Sequence, residues 1–191
     1  SIRIVAVFDE GLDSAIASSA ANYSLDNAAR PISAQPVAPL FSEVALTFSD
    51  ILATDKTYEL AVNNVTDCSG NKIGIYNKTK AAVAIPADTG SVVINEVLFN
   101  TKSGDPKFIE IYNKGSYAVN CNSLYVGNKT NAGLIENLKQ VSSVPCLLFP
   151  GDYLALTTHP TALGHLYLIK NPLSVIEIPS LPSVPEDKGR V

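Results

Sequence analysis

Glu96 and Glu110 each stand in the middle of an apolar run, in VINEVLF and FIEIYN. An ionised carboxylate among Ile, Val, Leu and Phe is costly unless it is paired or hydrogen-bonded. The turn KSGDPK (102–107) between the two runs would fold them against each other and bring both carboxylates to one part of a sheet. Such a pair could act as general acid and base, or hold a cation with nearby amide oxygens. The plainer reading gives them a structural role, accepting hydrogen bonds from loop amides, a Tyr or a Lys. Asn95, Asn100 and Asn113 end or interrupt the same runs. Asn side chains bond their own backbone in turns, and this is the expected role here, with calcium ligation a remote second.

The remaining reactive residues are sparse. His159 and His165, the only histidines, lie six apart without a nearby acidic or Cys residue to complete a metal site, and both read as surface residues. No GxSxG turn occurs, and no cysteine has a setting that suggests a Cys-His pair. Asn63, Asn64, Asp67 and Asn71, with Asp55 upstream, make an oxygen-rich turn, but their spacing does not match the twelve-residue calcium loop. The pattern calls for no cofactor and no resident metal.

Cys68, Cys121 and Cys146 show no CxxC spacing, so a structural zinc is not expected. Cys121 and Cys146 flank a segment that could return the chain to an adjacent strand. A disulfide there would close a loop of about 25 residues and contribute roughly 3–4 kcal/mol, leaving Cys68 unpaired. Three buried thiols acting as small apolar groups are the alternative. Sequons at Asn22, Asn64, Asn77 and Asn128 carry little weight in an Asn- and Thr-rich chain. The eight tyrosines are spread through the sequence; a sugar-binding face would need two of them exposed on one sheet, with Tyr117 and Tyr125 the first to inspect.

The elements that must position these residues are strands. The 191 residues are 46 % hydrophobic and 17 % charged, which is a core-forming composition. A net charge of −4, from 14 basic and 18 acidic residues without a basic run, gives no electrostatic reason to expect nucleic acid or an anionic membrane as partner. No apolar stretch is long enough to span a bilayer. Ile2, Ile4, Ala6 and Phe8 alternate with Arg3, Val5 and Val7; Val44, Leu46 and Phe48 alternate with Ala45 and Thr47; Tyr58, Leu60 and Val62 alternate with Glu59, Ala61 and Asn63. Each is a period-two strand. Asp13 can cap a short helical turn in SAIASSA. NYSLD (22–26) and Lys80–Ile85 add short strands, and PISAQPVAPL, with Pro31, Pro36 and Pro39, must be an edge or a crossing.

PADTGS (86–91) separates this half from the next and reads as the boundary. Beyond it, strands are expected at Val92–Asn100, Phe108–Asn113, Tyr117–Val126 and Leu147–Thr157, the last broken by a Pro-Gly bend. Residues 127–143 look like a polar loop. In HPTALGHLYLIKNP, Pro160 suits a first helical position, and Leu163, Leu166, Tyr167 and Lys170 fall on helical spacing until Asn171-Pro172 stops it. Ile176–Leu181 reads as extended, and EDKGR (186–190) as a turn. The chain starts inside an apolar run and stops soon after that turn, so it reads as part of a longer protein whose targeting segment could lie elsewhere.

Two family resemblances follow. FDEGLD, ANYSL, VALTFS and YELAVNNVTDCSGNKI, in that order over residues 2–86, resemble the bacterial Ig-like modules of surface-layer and other exported proteins. NEVLFN, FIEIYN and SLYVGN, followed by LLFPGDYLALT, resemble a lamin-tail domain, itself an immunoglobulin-like sandwich. The second resemblance implies a structural role for Asn95, Glu96, Glu110 and Asn113, and closing strands that do not follow GRV here. Together they imply an all-β chain of two tandem immunoglobulin-like β-sandwiches, 1–86 and 92–191, joined by a linker at 87–91, with a short helix inserted in the second. The expected function is that of a non-catalytic module in a larger exported or cell-surface protein, spacing or attaching partner domains, with a surface protein or glycan as a further partner. The rivals are a carbohydrate-binding or adhesion module and a hydrolase accessory domain or enzyme using Glu96 and Glu110.

Overall fold

A computed structural model describes residues 1–183 except Asn27, Ser103 and Asn131. The expected turn at 186–190 lies outside the described residues. The chain is all-β: the described residues form fourteen short strands and two short α-helices, divided into compact units at Val83/Ala84.

In the first unit, β1 (Ile2–Val7), β4 (Glu43–Phe48) and β3 (Ser33–Pro36) form one antiparallel sheet in the order β1-β4-β3. A second antiparallel sheet is ordered β2-β5-β6, from β2 (Tyr23–Leu25), β5 (Tyr58–Val62) and β6 (Lys78–Ala81). Their inner faces meet in one core that joins Ala6, Val44, Leu46 and Phe48 to Tyr23, Leu25, Leu60 and Val62. The alternation in β1 works as expected: Ile2, Ile4 and Ala6 turn inward while Arg3, Val5 and Val7 are exposed. Helix α1 (Ser14–Ala17) starts where the Asp13 carboxylate accepts from the Ala15 and Ile16 amides at 2.9 and 3.1 Å. The proline-rich segment supplies β3, an edge strand, where a missing N–H costs nothing. The strand expected at Lys80–Ile85 is instead Lys78–Ala81, because Leu60 pairs with Thr79 and Tyr58 with Ala81.

In the second unit the main sheet is ordered β14-β13-β8-β7, from β7 (Val92–Leu98), β8 (Phe108–Asn113), β13 (Tyr153–Thr157) and β14 (Val175–Glu177). β14 runs parallel to β13, and the other pairings are antiparallel. Against this sheet lie two separate pairs, β9 (Val119–Asn120) with β12 (Leu147–Leu148), and β10 (Tyr125–Lys129) with β11 (Ile135–Gln140). Ile109, Ile111, Leu154 and Leu156 from the main sheet pack on Cys121, Val126, Val141 and Leu148.

Three expectations for this unit are corrected. The strand expected at Tyr117–Val126 is two strands, broken by a 3-10 turn over Cys121–Ser123 whose entry is capped by the Asn120 side chain accepting from the Asn122 amide. Residues 127–143 are not a loop: they carry the end of β10 and all of β11. The helix α2 (Pro160–Leu166) begins at Pro160 as expected but ends a turn early. Tyr167 leaves it in extended geometry, its ring 5.9 Å edge-on to Phe108.

Candidate binding faces of the second unit

Between β7 and β8 the register skips one residue. Ile94 faces Ile111 and Glu96 faces Glu110, so Asn95 is the extra residue of a β-bulge. The bulge turns the Asn95 amide toward the neighbouring strand, where it donates to Glu110 Oε1 at 2.7 Å. Glu110 is half-buried and Glu96 exposed. The structure therefore brings Asn95, Glu96 and Glu110 together on the outer face of the main sheet.

Two tyrosines share that face. Ile109 and Ile111 point into the core, so Glu110 and Tyr112 point away from it. Tyr112 pairs with Tyr153 of β13, and the two rings stack with centroids 4.5 Å apart and planes at 25°. Tyr153 is 46 % exposed. Tyr117 and Tyr125, the aromatic pair suggested by the sequence, do not form a platform. Tyr117 sits in the turn before β9, while Tyr125 opens β10 in another sheet.

Asn113 does something different from its neighbours. It is fully buried, and its side-chain amide donates to the Tyr117 and Leu148 carbonyls at 2.8 and 2.9 Å. Its Oδ1 accepts from the Gly115 amide at 2.9 Å. The last contact is the turn bond expected of an Asn; the bond to Leu148 ties the main sheet to the β9–β12 pair. Asn100 lies exposed beyond the end of β7.

A groove of about 380 Å³ opens between β7 and the β10–β11 hairpin. Val92, Val93 and Ile94 form one wall, Val126 and Asn128 the other, with Ile135 and Leu138 at the rim and Ile111 and Val141 beneath. Ile135 and Leu138 are 69 % and 58 % exposed. Among the described residues β7 is the edge of the main sheet and β10 pairs only with β11, so each wall carries a strand edge. A bulge between Val126 and Asn128 places Gly127 where an added Cβ would meet the Glu136 carbonyl oxygen at 2.9 Å. Asn128 Nδ2 donates to the Ser183 carbonyl, while its buried Oδ1 has no donor among the described residues. A smaller cleft of about 210 Å³ lies beside Ile85, Ser91, Gly115 and Tyr117. Neither Glu96 nor Glu110 lines either hollow.

The other candidates are local. His159 holds the N-cap position of α2 without a side-chain capping bond, its Nδ1 2.7 Å from the Thr158 hydroxyl, and His165 lies in the last turn. In the first unit Asp67 accepts from the Ser69 amide, the Asn71 amide and the Asn71 side chain at 2.7–2.8 Å. These bonds, that from the Asn71 side chain foremost, hold its carboxyl below the usual carboxylate range. Asn63 Oδ1 accepts from Asn77, Asn64 is left-handed at φ 57°, and Asp55 is exposed in a separate turn. Among the described residues, no three His, Cys, Asp or Glu side chains gather to hold a metal ion, and no helix is long and apolar enough to cross a membrane.

No family model, curated protein or solved structure matches the chain.

Proposed function

We propose that the chain is a non-catalytic pair of immunoglobulin-like β-sandwich modules, of the surface-layer and lamin-tail kinds, within a larger exported or cell-surface protein. The second module attaches an extended, apolar segment of a partner protein along the groove at β7 and β10. The observation that carries this reading is the combination in one groove of apolar walls and two strand edges. A strand edge offers unpaired N–H and C=O groups to an incoming strand, and pockets between the walls take its alternate side chains. An extended backbone brings an amide at every second residue on one side, as either edge requires.

The test is selection of random linear peptides on the full chain, followed by binding to Leu138→Arg. The expected result is a consensus with apolar residues at alternate positions and at least tenfold weaker binding to the variant. Failure to enrich any peptide, or equal binding to Leu138→Arg, rejects the reading.

The stacked Tyr112 and Tyr153 beside Asn95, Glu96 and Glu110 favour a second reading, a glycan-binding face. A sugar ring packs on an aromatic side chain, and carboxylates and amides bond its hydroxyls. A glycan array separates the two: a specific sugar lost in Tyr153→Ala but kept in Leu138→Arg supports the sheet face over the groove.

A further inference from the structure

Cys121 and Cys146 face each other across a strand pair that has its own register. β9 and β12 pair Asn120 with Leu147 and Val119 with Leu148, so one step further along each strand sets Cys121 opposite Cys146. The Cys121 amide donates to the Cys146 carbonyl at 3.0 Å, extending the ladder to this position. Residues opposed in an antiparallel ladder have Cα atoms about 4.5–5.5 Å apart, inside the span a disulfide bridges without moving the backbone. The side chains turn toward each other, with the sulfurs in contact at 2.8 Å. Cys121 is fully buried, and Cys146 is half-buried.

We propose that Cys121 and Cys146 are joined by a disulfide in the working protein, formed by exchange with a small-molecule disulfide that enters at Cys146. The order follows from access. Cys146 is the more exposed of the two residues, so its thiolate attacks the small disulfide, whose S–S bond breaks and releases one thiolate that takes up a proton. Cys121 then loses its proton to solvent, and its sulfur attacks the Cys146 sulfur and expels the second small thiolate. Two protein thiols are oxidised and one small disulfide is reduced to two thiols. The hydrogen bond between the cysteines favours the same order: with burial it pushes the Cys121 thiol up, and it draws the Cys146 thiol down. A low-lying thiolate starts such an exchange, and a buried thiol completes it once the mixed disulfide is within reach. The bridge is independent of what occupies the groove, and a disulfide of this kind persists in the oxidising surroundings expected of an exported chain.

The test uses a Cys68→Ser background, because Cys68 is exposed and would react by itself. The reduced, folded protein is incubated with glutathione disulfide, then denatured and alkylated. The expected mass is that of the protein less two hydrogens, with no alkylated thiol. Adding Cys121→Ser should leave Cys146 carrying one glutathione. Adding Cys146→Ser should leave Cys121 unmodified while folded, reacting at least tenfold more slowly than Cys146 does. Two alkylated thiols in the Cys68→Ser protein after incubation overturn the bridge, and that measurement needs no change at either cysteine. Equal glutathione uptake by the two single-cysteine proteins, each verified as folded by circular dichroism, overturns the route of entry.

Discussion

Replacing Asn113 should cost more than replacing any of the carboxylates near it. The side chain is wholly buried and uses both amide hydrogens and its oxygen, on the Tyr117 carbonyl, the Leu148 carbonyl and the Gly115 amide. Asn113→Ala orphans two acceptors and one donor. Each buried orphan costs about 1–3 kcal/mol, and the half-buried Tyr117 turn lets water relieve part of this, so the total should be about 3 kcal/mol. A unit of this size has a total stability on the order of 5–15 kcal/mol, so the loss is a substantial share of it. Asn113→Asp separates hydrogen bonding from shape. The introduced carboxyl keeps the Gly115 contact but points an oxygen at carbonyls that need a donor, so the folded state prefers it protonated. Its folded pKa then lies above its unfolded one, and stability present at low pH is lost as pH rises through the carboxylate range and beyond. Each unit of difference costs about 1.4 kcal/mol. Urea unfolding of the full chain at pH 4 and pH 7, with hydrogen exchange at the Gly115 amide as the local readout, checks both variants. A loss below about 1 kcal/mol for Asn113→Ala, or no pH dependence in Asn113→Asp, would refute the reasoning that these bonds are a shared structural tie.

In the first unit, the Tyr23 hydroxyl donates to the Ala17 carbonyl at 2.8 Å, and burial pushes its pKa up to about 12. Tyr23→Phe should cost about 1 kcal/mol near neutrality. Because the folded state holds a proton that the unfolded chain releases from pH 10, this contribution to wild-type stability is lost on going from pH 10 toward 12 at about 1.4 kcal/mol per unit, so the wild-type advantage should vanish and the order of the thermal midpoints reverse before pH 12. Gly127→Ala drives a Cβ to 2.9 Å from both the Glu136 carbonyl oxygen and Leu138 Cδ2. It should destabilise the hairpin by about 1–3 kcal/mol, seen as faster exchange of the β10–β11 amides. Once bridged, the cysteines 25 residues apart restrict the unfolded chain, and reduction should lower stability by roughly 3–4 kcal/mol, read as a thermal midpoint several degrees lower in reductant.

Period-two alternation identified the strands that have one buried and one exposed face. β1 is of this kind, and β8 is nearly so, with Ile109 and Ile111 facing in and the half-buried Glu110 and Tyr112 facing out, whereas β4, with Ala45 buried as well, is largely covered on both faces. β11 escaped because nearly every residue in it is exposed, Ile135 and Leu138 included, so burial imposes no alternation on it. The role of Asn113 as a turn residue was legible from Lys114-Gly115 beside it. Its bond to Leu148, 35 residues on, was not, since only the packed sheets bring those atoms together. The same holds for Tyr112 and Tyr153, which the β8–β13 register makes neighbours. The Asn95 bulge had no sequence signal beyond an Asn before a Glu; without it, strict alternation from Ile94 would turn Glu96 to the inner face and Val97 to the outer one.

The groove is bounded as well as open, and this limits what can occupy it. A long, flat apolar edge invites indiscriminate pairing, and natural edges are blunted by bulges and charges. β7 carries Val92, Val93 and Ile94 along the groove and then breaks register at Asn95, with Glu96 exposed immediately beyond. β10 offers Tyr125 and Val126 and then bulges before Asn128 and Lys129. Each strand thus presents a few apolar residues before a bulge and a charged side chain interrupt the ladder. A strand that binds here can pair over about three or four residues before its register fails, so specificity must come from two side chains set into the groove rather than from backbone length. The corresponding experiment shortens a selected peptide from each end: affinity should be flat until a core of about four residues is reached and then collapse. A smooth decline with every residue removed would instead mean that the occupant runs past the bulges, and that they do not act as stops.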